Sequence, residues 1–150
     1  MEHHPRLICS KCEFIFYQNS KPCVGGIILK GNEILLTQRG IEPYKGYWDV
    51  PGGFLELGEH PEDGVKRELH EELGMRCKIK KLFGMFMDTY GPSGDWILNI
   101  YYIVEPTTKI KGATDDIVDY GFFPFNKLPR KIAFPAARQV LNLLKRAASD

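Results

Sequence analysis

Glu68, Glu71 and Glu72 are close enough in the chain that a helix through them sets Glu68 and Glu72 one turn apart on a single stripe, with Glu71 on its flank. Two carboxylates about 6 Å apart repel by roughly 3 kcal/mol at an effective dielectric of about 20. Glu59, just before that helix, adds to the field. The stripe borders Val65, Leu69 and Leu73, which recur every four residues and read as a buried face, so the repulsion falls at the edge of a core. A divalent cation relieves such a cluster. Hard oxygen ligands select Mg²⁺ or Mn²⁺ over zinc, and Mg²⁺ fills its remaining positions with water and substrate phosphate. The chemistry this points to is attack of water on a diphosphate bond. The bland alternative is an acidic helix face that is merely solvated.

The elements that must position these groups can be read from the same chain. Pro61 to Leu73 reads as the helix: Pro suits its first position, Glu62 and Asp63 favour the positive end of the dipole, and Gly74 is placed to end it. Gly64 weakens that helix by about 1 kcal/mol relative to Ala, which implies a close packing partner. Val24 to Leu29 and Glu33 to Gln38 read as strands joined by a Gly31-Asn32 turn. After a polar loop from Arg39 to Tyr47, Pro51-Gly52-Gly53 marks a sharp backbone feature. Cys77 to Met87 and Trp96 to Glu105 are expected as strands around a Tyr90–Asp95 loop, and Tyr120 to Phe125 as a further short strand. Pro135 to Ala147 is expected as a closing helix with Ala136, Val140, Leu143 and Ala147 on its inner face. The fold class is therefore α/β (α+β), a mixed sheet flanked by helices. Residues 1–22 form a short leader, and 23–150 form one domain, large enough to bury a core.

Spacing decides between a functional and a solvated glutamate row. Gly53, then Glu59, then Arg67-Glu68-Leu69-His70-Glu71-Glu72-Leu73-Gly74-Met75 matches every fixed position of the Nudix box, GX5EX7REUXEEXGU with U aliphatic. A chance match somewhere in a chain of average composition is on the order of one in 10⁸. The chain resembles a Nudix hydrolase over about Cys9 to Leu144. Arg39-Gly40 followed by Lys45 to Phe54 is similar to the family's approach to the box, and Asp115 to Phe123 followed by Leu128-Pro129 to its later strand and turn. The resemblance implies an α/β/α sandwich around a mixed β-sheet. It implies Mg²⁺ or Mn²⁺ at Glu68, Glu71 and Glu72, with the Gly53 carbonyl as a further ligand. Arg67 would orient Glu68, and Glu59 would be structural or a second acid near the metal. The base that activates water is, across the family, either the glutamate matching Glu68 or an acid of a later loop, for which Asp116 (beside Asp115) is the candidate here.

Arg39 has the planar fork that fits a phosphate, with a plain surface arginine as the alternative. Trp48 and Phe54 read as core. Tyr44, Tyr90 and Trp96 sit in expected loops, where an aromatic ring can stack on a base or simply pack. In the leader, Cys9-x-x-Cys12 followed by Phe14 to Pro22 resembles the second half of a zinc ribbon found before some Nudix domains. A complete ribbon needs four ligands. The first Cys pair is missing, so Zn²⁺ at Cys9 and Cys12 would need His3, His4, Cys23 or a second chain. The alternative is a vestigial knuckle. Cys23 and Cys77 read as buried thiols.

With 20 Lys plus Arg against 19 Asp plus Glu, the net charge is +1, which gives no global pull toward nucleic acid or an anionic membrane. Seven of the acids lie between Glu56 and Glu72. No apolar run approaches a membrane span and no secretion signal is evident, so a cytoplasmic, reducing location is expected, with free thiols. The expected partners are a small nucleotide substrate and, as among relatives, a second copy in a homodimer. The aromatic and proline-rich element that marks NADH pyrophosphatases after the box is missing, since Asp88 to Ser93 occupies that region. The chain instead looks most like the ADP-ribose pyrophosphatase group. Its expected reaction is cleavage of ADP-ribose or a nucleotide sugar to a nucleoside monophosphate and a sugar phosphate. The alternatives are hydrolysis of nucleoside triphosphates or dinucleoside polyphosphates, and a non-catalytic domain that senses a nucleotide or binds RNA.

Overall fold

The computed structural model describes residues 6–114 and 116–148, with the side chain of Ser93 excepted. His3, His4 and Asp115 therefore lie outside the described residues. Ten strands and two α-helices follow in the order β1 (Leu7–Ile8), β2 (Ile15–Phe16), β3 (Lys21–Ile27), β4 (Leu29–Lys30), β5 (Glu33–Arg39), β6 (Trp48–Asp49), β7 (Gly52–Phe54), α1 (Pro61–Leu73), β8 (Cys77–Tyr90), β9 (Asp95–Pro106), β10 (Ile117–Pro124) and α2 (Pro135–Ala147).

Two sheets form the middle layer. One runs β7-β3-β9-β8, with β3 and β9 parallel and the other pairs antiparallel. The second runs β10-β5-β4, with β6 also on β5. Successive strand residues point to opposite faces, and here they feed two separate cores. Ile27, Ile34 and Leu36 pack with Ala136, Ala137, Val140, Leu141 and Leu144 of α2. Ile28, Leu35 and Ile100 pack with Val65, Leu69 and Leu73 of α1. A helix thus covers each face, and the expected α/β/α sandwich is what the chain forms.

Both helices have the expected bounds. The inner face of α2 differs: Leu143 is 45% exposed, and the buried residues are Ala136, Ala137, Val140, Leu141 and Leu144. An i, i+1, i+4, i+5, i+8 stripe covers a wider sheet surface than the narrower one expected. The expected Tyr90–Asp95 loop is shortened to residues 91–94, because β8 and β9 continue to pair up to Tyr90↔Asp95 and close through one short 3₁₀ turn, Gly91–Ser93. Tyr90 is consequently a strand residue, and Trp96 lies in the strand expected from Trp96 to Glu105. Among the described residues no helix is long and apolar enough to cross a membrane.

In the leader, β1 and β2 make a sheet of their own, with Leu7 opposite Phe16 and Ile8 opposite Ile15. Cys9 and Cys12 are exposed free thiols at its turn. Among the described residues no three His, Cys, Asp or Glu side chains form a group that could hold a metal. Cys23, raised above as a completing ligand, lies on β3 and lines a cavity of the domain instead. The zinc expectation therefore has no support in the structure.

Candidate active site

Helix α1 is seated by contacts that begin in its own sequence. His60, in an extended conformation, caps it by accepting the Glu62 N–H on Nδ1 at 3.3 Å, Pro61 occupies the first turn, and Gly74 ends it in the left-handed conformation. Val65, Leu69 and Leu73 are fully buried. A Cβ at Gly26 of β3 would lie 2.7 Å from Leu69 Cδ1, so the helix rests on bare strand backbone at that point. Gly64 has the close partner its cost implied: a Cβ there would lie 2.3 Å from Leu55 Cδ2 and 3.0 Å from Glu59 Oε2.

Arg67 organises the acids of this helix. Its Nε and Nη2 bond the two oxygens of Glu59 at 2.8 and 2.9 Å, and its Nη1 reaches Glu68 and Glu71, both at 2.8 Å. Nη2 also donates to the Phe54 carbonyl at 3.0 Å. The two-point bond from Arg67, helped by the Glu56 N–H, holds the Glu59 carboxyl down at about 2. The same partners, Glu59 first, raise the guanidinium above its usual range. Glu59 is thereby committed to Arg67 and does not line the cavity that Glu68, Glu71 and Glu72 share.

Glu72 is only 7% exposed, and its Oε2 accepts the Gly52 N–H at 3.0 Å. Burial, then the neighbouring Glu68 carboxylate, push its carboxyl well above the usual range, with the Gly52 bond pulling the other way. Gly53 follows on β7, where a Cβ would stand 2.6 Å from both oxygens of Glu68. The carboxylate lies in a cradle that only glycine leaves open. Hard oxygens thus face each other across β7 and α1 with an electrostatic deficit between Glu68 and Glu72, and that donor set fits Mg²⁺ or Mn²⁺. Glu68 and Glu71 turn toward Arg67 and Glu72 toward Gly52, so the three do not converge on one point. Mg²⁺ needs no such convergence, since it usually takes one or two carboxylates and completes its shell with water and phosphate.

The carboxylates form one side of a cavity of about 330 Å³. Asp116 is on its wall, placed by its own carbonyl, which accepts the Gly40 N–H at 2.7 Å. Arg39 also lines it. Its Nε donates to the Pro43 carbonyl at 2.8 Å, its guanidinium lies 5.0 Å from the Phe134 ring centroid, and its Nη2 is buried with no hydrogen-bond partner. Tyr90 lines the cavity as well, with its ring stacked on Phe134 and edge-on to Phe54. The other two aromatic candidates do not. Tyr44 packs on Tyr47 and Phe134 beside a separate cleft, and Trp96 is 60% exposed on β9 away from the cavity. Trp48 packs into the core against Phe123 as expected, whereas Phe54 is a cavity residue.

Asp49, Asp88, Asn99 and Cys23, with Glu56, Tyr101 and Phe134, line this cavity without having been expected at the site. Asp49 is pushed up to about 7 by burial, against the pull of Arg39 and of its bond from the Val50 N–H. Asp88 and Asn99 are buried and bonded to each other. Cys23, on the same floor, has its thiol raised by burial and then by Asp49. The available signal was a lone polar residue inside an apolar strand, as in Met85-Phe-Met-Asp88 and Trp96-Ile-Leu-Asn99-Ile-Tyr.

Comparison with known proteins bears on the whole of this architecture. The chain is 37% identical over 122 residues to an ADP-ribose pyrophosphatase of Methanocaldococcus jannaschii, a match spanning 81% of this chain and 72% of that one. A NAD-capped RNA hydrolase NudC of Vibrio parahaemolyticus shares 41% identity over 76 residues, which is 51% of this chain but 29% of the relative. Among solved structures, a NUDIX hydrolase from Nitrosomonas europaea superposes with a TM-score of 0.80 at 30% identity, covering 99% of this chain and 81% of that one. The NUDIX domain model matches residues 19–144, so the glutamate helix and its cradle belong to a member of the Nudix hydrolase family.

Proposed function

We propose that this enzyme cleaves the diphosphate bond of ADP-ribose or a related nucleoside diphosphate sugar, releasing a nucleoside monophosphate and a sugar phosphate. The observation that carries the reading is the Glu68–Glu72 pair held against Gly52 and Gly53 at the wall of a cavity. The substrate class is supported by the activity named for the archaeal relative. Glu68, Glu71 and Glu72, with the Gly53 carbonyl, would hold Mg²⁺ or Mn²⁺. The ion would supply charge neutralisation at the phosphates and a more acidic bound water.

The chain's own residues account for the rest. Arg67 fixes the orientation of Glu68 and Glu71 by charge-assisted bonds. Arg39 offers its unfilled Nη2 to a phosphate oxygen. A base is needed to take a proton from water. Glu68 is taken up by its bond from Arg67 at 2.8 Å, whereas Asp116 stands on the wall of the same cavity, so Asp116 is the candidate acceptor.

A substrate panel with Mg²⁺, wild type against Glu72→Gln, tests this. Hydrolysis of ADP-ribose that the substitution abolishes supports it. Turnover of nucleoside triphosphates alone would replace it with a triphosphate-hydrolysing role, and binding without turnover with a nucleotide sensor.

A further inference from the structure

Asn99 is 8% exposed and lies at the middle of a cross-sheet row, level with Cys23 of β3 and Phe86 of β8. Its side-chain nitrogen donates to Asp88 Oδ1 at 3.0 Å and to the Phe86 carbonyl at 3.4 Å. Asp88 is itself fixed, because its Oδ2 accepts the Ala136 N–H of α2 at 2.9 Å. Both partners of the amide act only as acceptors here, so the amide has one orientation. Turning it over would set an oxygen against two oxygens. The nitrogen faces β8, and Oδ1 is left as an acceptor on the cavity floor. Among the described residues nothing donates to that oxygen. That oxygen is not among the sealed, unpartnered side-chain atoms of the described residues, so it opens to the cavity, where a ligand donor can reach it.

The surroundings say what kind of ligand. Tyr90 and Phe134 are stacked, with ring centroids 5.7 Å apart and planes at 17°, and Phe54 meets Tyr90 edge-on at 5.3 Å. All three line the same cavity as Asn99. An aromatic wall beside a fixed acceptor suits a flat ring that carries an amine. We propose that Asn99 Oδ1, beside the Phe54–Tyr90–Phe134 wall, reads the base of a nucleotide by accepting a hydrogen bond from its ring amine. An amino-bearing base such as adenine is then preferred over the same ring without the amine. This rests on the reading of the ligand as a nucleotide, and not on its hydrolysis.

Calorimetric titration of the whole protein with AMP, 2′-deoxy-AMP and the 5′-monophosphate of unsubstituted purine riboside tests it. Wild type should bind AMP about tenfold or more tightly than the purine analogue, and Asn99→Leu should reduce that ratio to about one while 2′-deoxy-AMP follows AMP in both proteins. Equal binding of AMP and the analogue by wild type, or no AMP binding at millimolar concentration, overturns the assignment without any need for the variant to fold. A ratio that survives in a folded Asn99→Leu overturns it too. So does a variant whose only loss is discrimination against 2′-deoxy-AMP, because the oxygen would then face the sugar. AMP discrimination in a protein that fails to hydrolyse ADP-ribose would leave this inference standing and remove the proposed reaction instead.

Discussion

The two helices invite comparison because they are built to the same plan and anchored by different means. Each runs 13 residues with Pro in its first turn. The N-terminal N–H groups of α1 are served by its neighbour His60, one residue before the helix. Those of α2 find no side chain nearby, since Phe134 precedes it, and the Ala136 N–H goes to Asp88, 48 residues earlier on β8. One end is capped locally, the other from across the fold. The helix that carries the charged row is tied down by sequence neighbours, while the helix that closes the aromatic wall depends on the floor of the cavity.

The remote cap offers the largest expected effect. Asp88→Ala removes the acceptor of the Ala136 N–H, worth about 1 kcal/mol as a cap, and leaves the buried Asn99 amide short of a partner, about 1–3 kcal/mol more. Denaturant unfolding should show a loss of about 2–4 kcal/mol. A loss below about 1 kcal/mol would mean that α2 is held by its apolar face alone.

On α1 the comparable point of dependence is Arg67. Arg67→Met keeps much of the side-chain stem but frees Glu59, Glu68 and Glu71 together. If Glu68 and Glu71 hold the metal as proposed, removing the group that orients them costs about 10–100-fold, and Mg²⁺-dependent turnover should fall by that much. Acid titration adds a second reading of the same variant. The Glu59 carboxyl is depressed from 4.5 to about 2, so the stability it gains from Arg67 is present above about pH 4.5 and is lost as pH falls toward 2. That part of the acid unfolding profile should vanish in Arg67→Met. A profile identical to that of wild type would show that Glu59 does not draw on this guanidinium.

How far the molecule could be read from its sequence follows the same division between near and far. The bounds of both helices, the Val65/Leu69/Leu73 stripe and the end at Gly74 rest on interactions within a few residues, and all were legible. The charged row was legible because Glu68, Glu71 and Glu72 lie on one helix with Arg67. What was not legible depends on strand register. Asp49, Asp88, Asn99 and Cys23 share a cavity only because β3, β6, β8 and β9 bring them there. Trp96 was misplaced for the same reason, since pairing continues to Tyr90↔Asp95 and turns its ring away from the cavity. The inner face of α2 was misjudged because an i, i+4, i+7, i+11 spacing from Ala136 takes in Leu143 and Ala147 and passes over Ala137, Leu141 and Leu144, which the sheet actually covers.

Gly64 sharpens the contrast, because helix propensity and packing there predict opposite signs. In an exposed helix Gly→Ala gains about 1 kcal/mol. Here the added methyl would meet Leu55 Cδ2 and Glu59 Oε2. Overpacking of this kind costs typically 1–3 kcal/mol, so the net expectation for Gly64→Ala is a loss of about 1 kcal/mol by denaturant unfolding. Turnover should fall with it, as Glu59 is shifted from Arg67. A net gain in stability would show that Leu55 yields freely and that propensity, not packing, sets the sign.

The local cap should matter least. His60 Nδ1 meets the Glu62 N–H at a long 3.3 Å in an exposed position, and water can replace it. Pro61 has no N–H to satisfy, and Glu62 and Asp63 already face the positive end of the helix dipole. His60→Ala should therefore cost about 0.5 kcal/mol, near the low end for caps, against several times that for Asp88→Ala. Paired unfolding curves for the two variants measure the difference directly. Equal losses would mean that a cap's worth here is set by the N–H it covers and not by where its partner is buried, and the contrast between the two helix ends would fail.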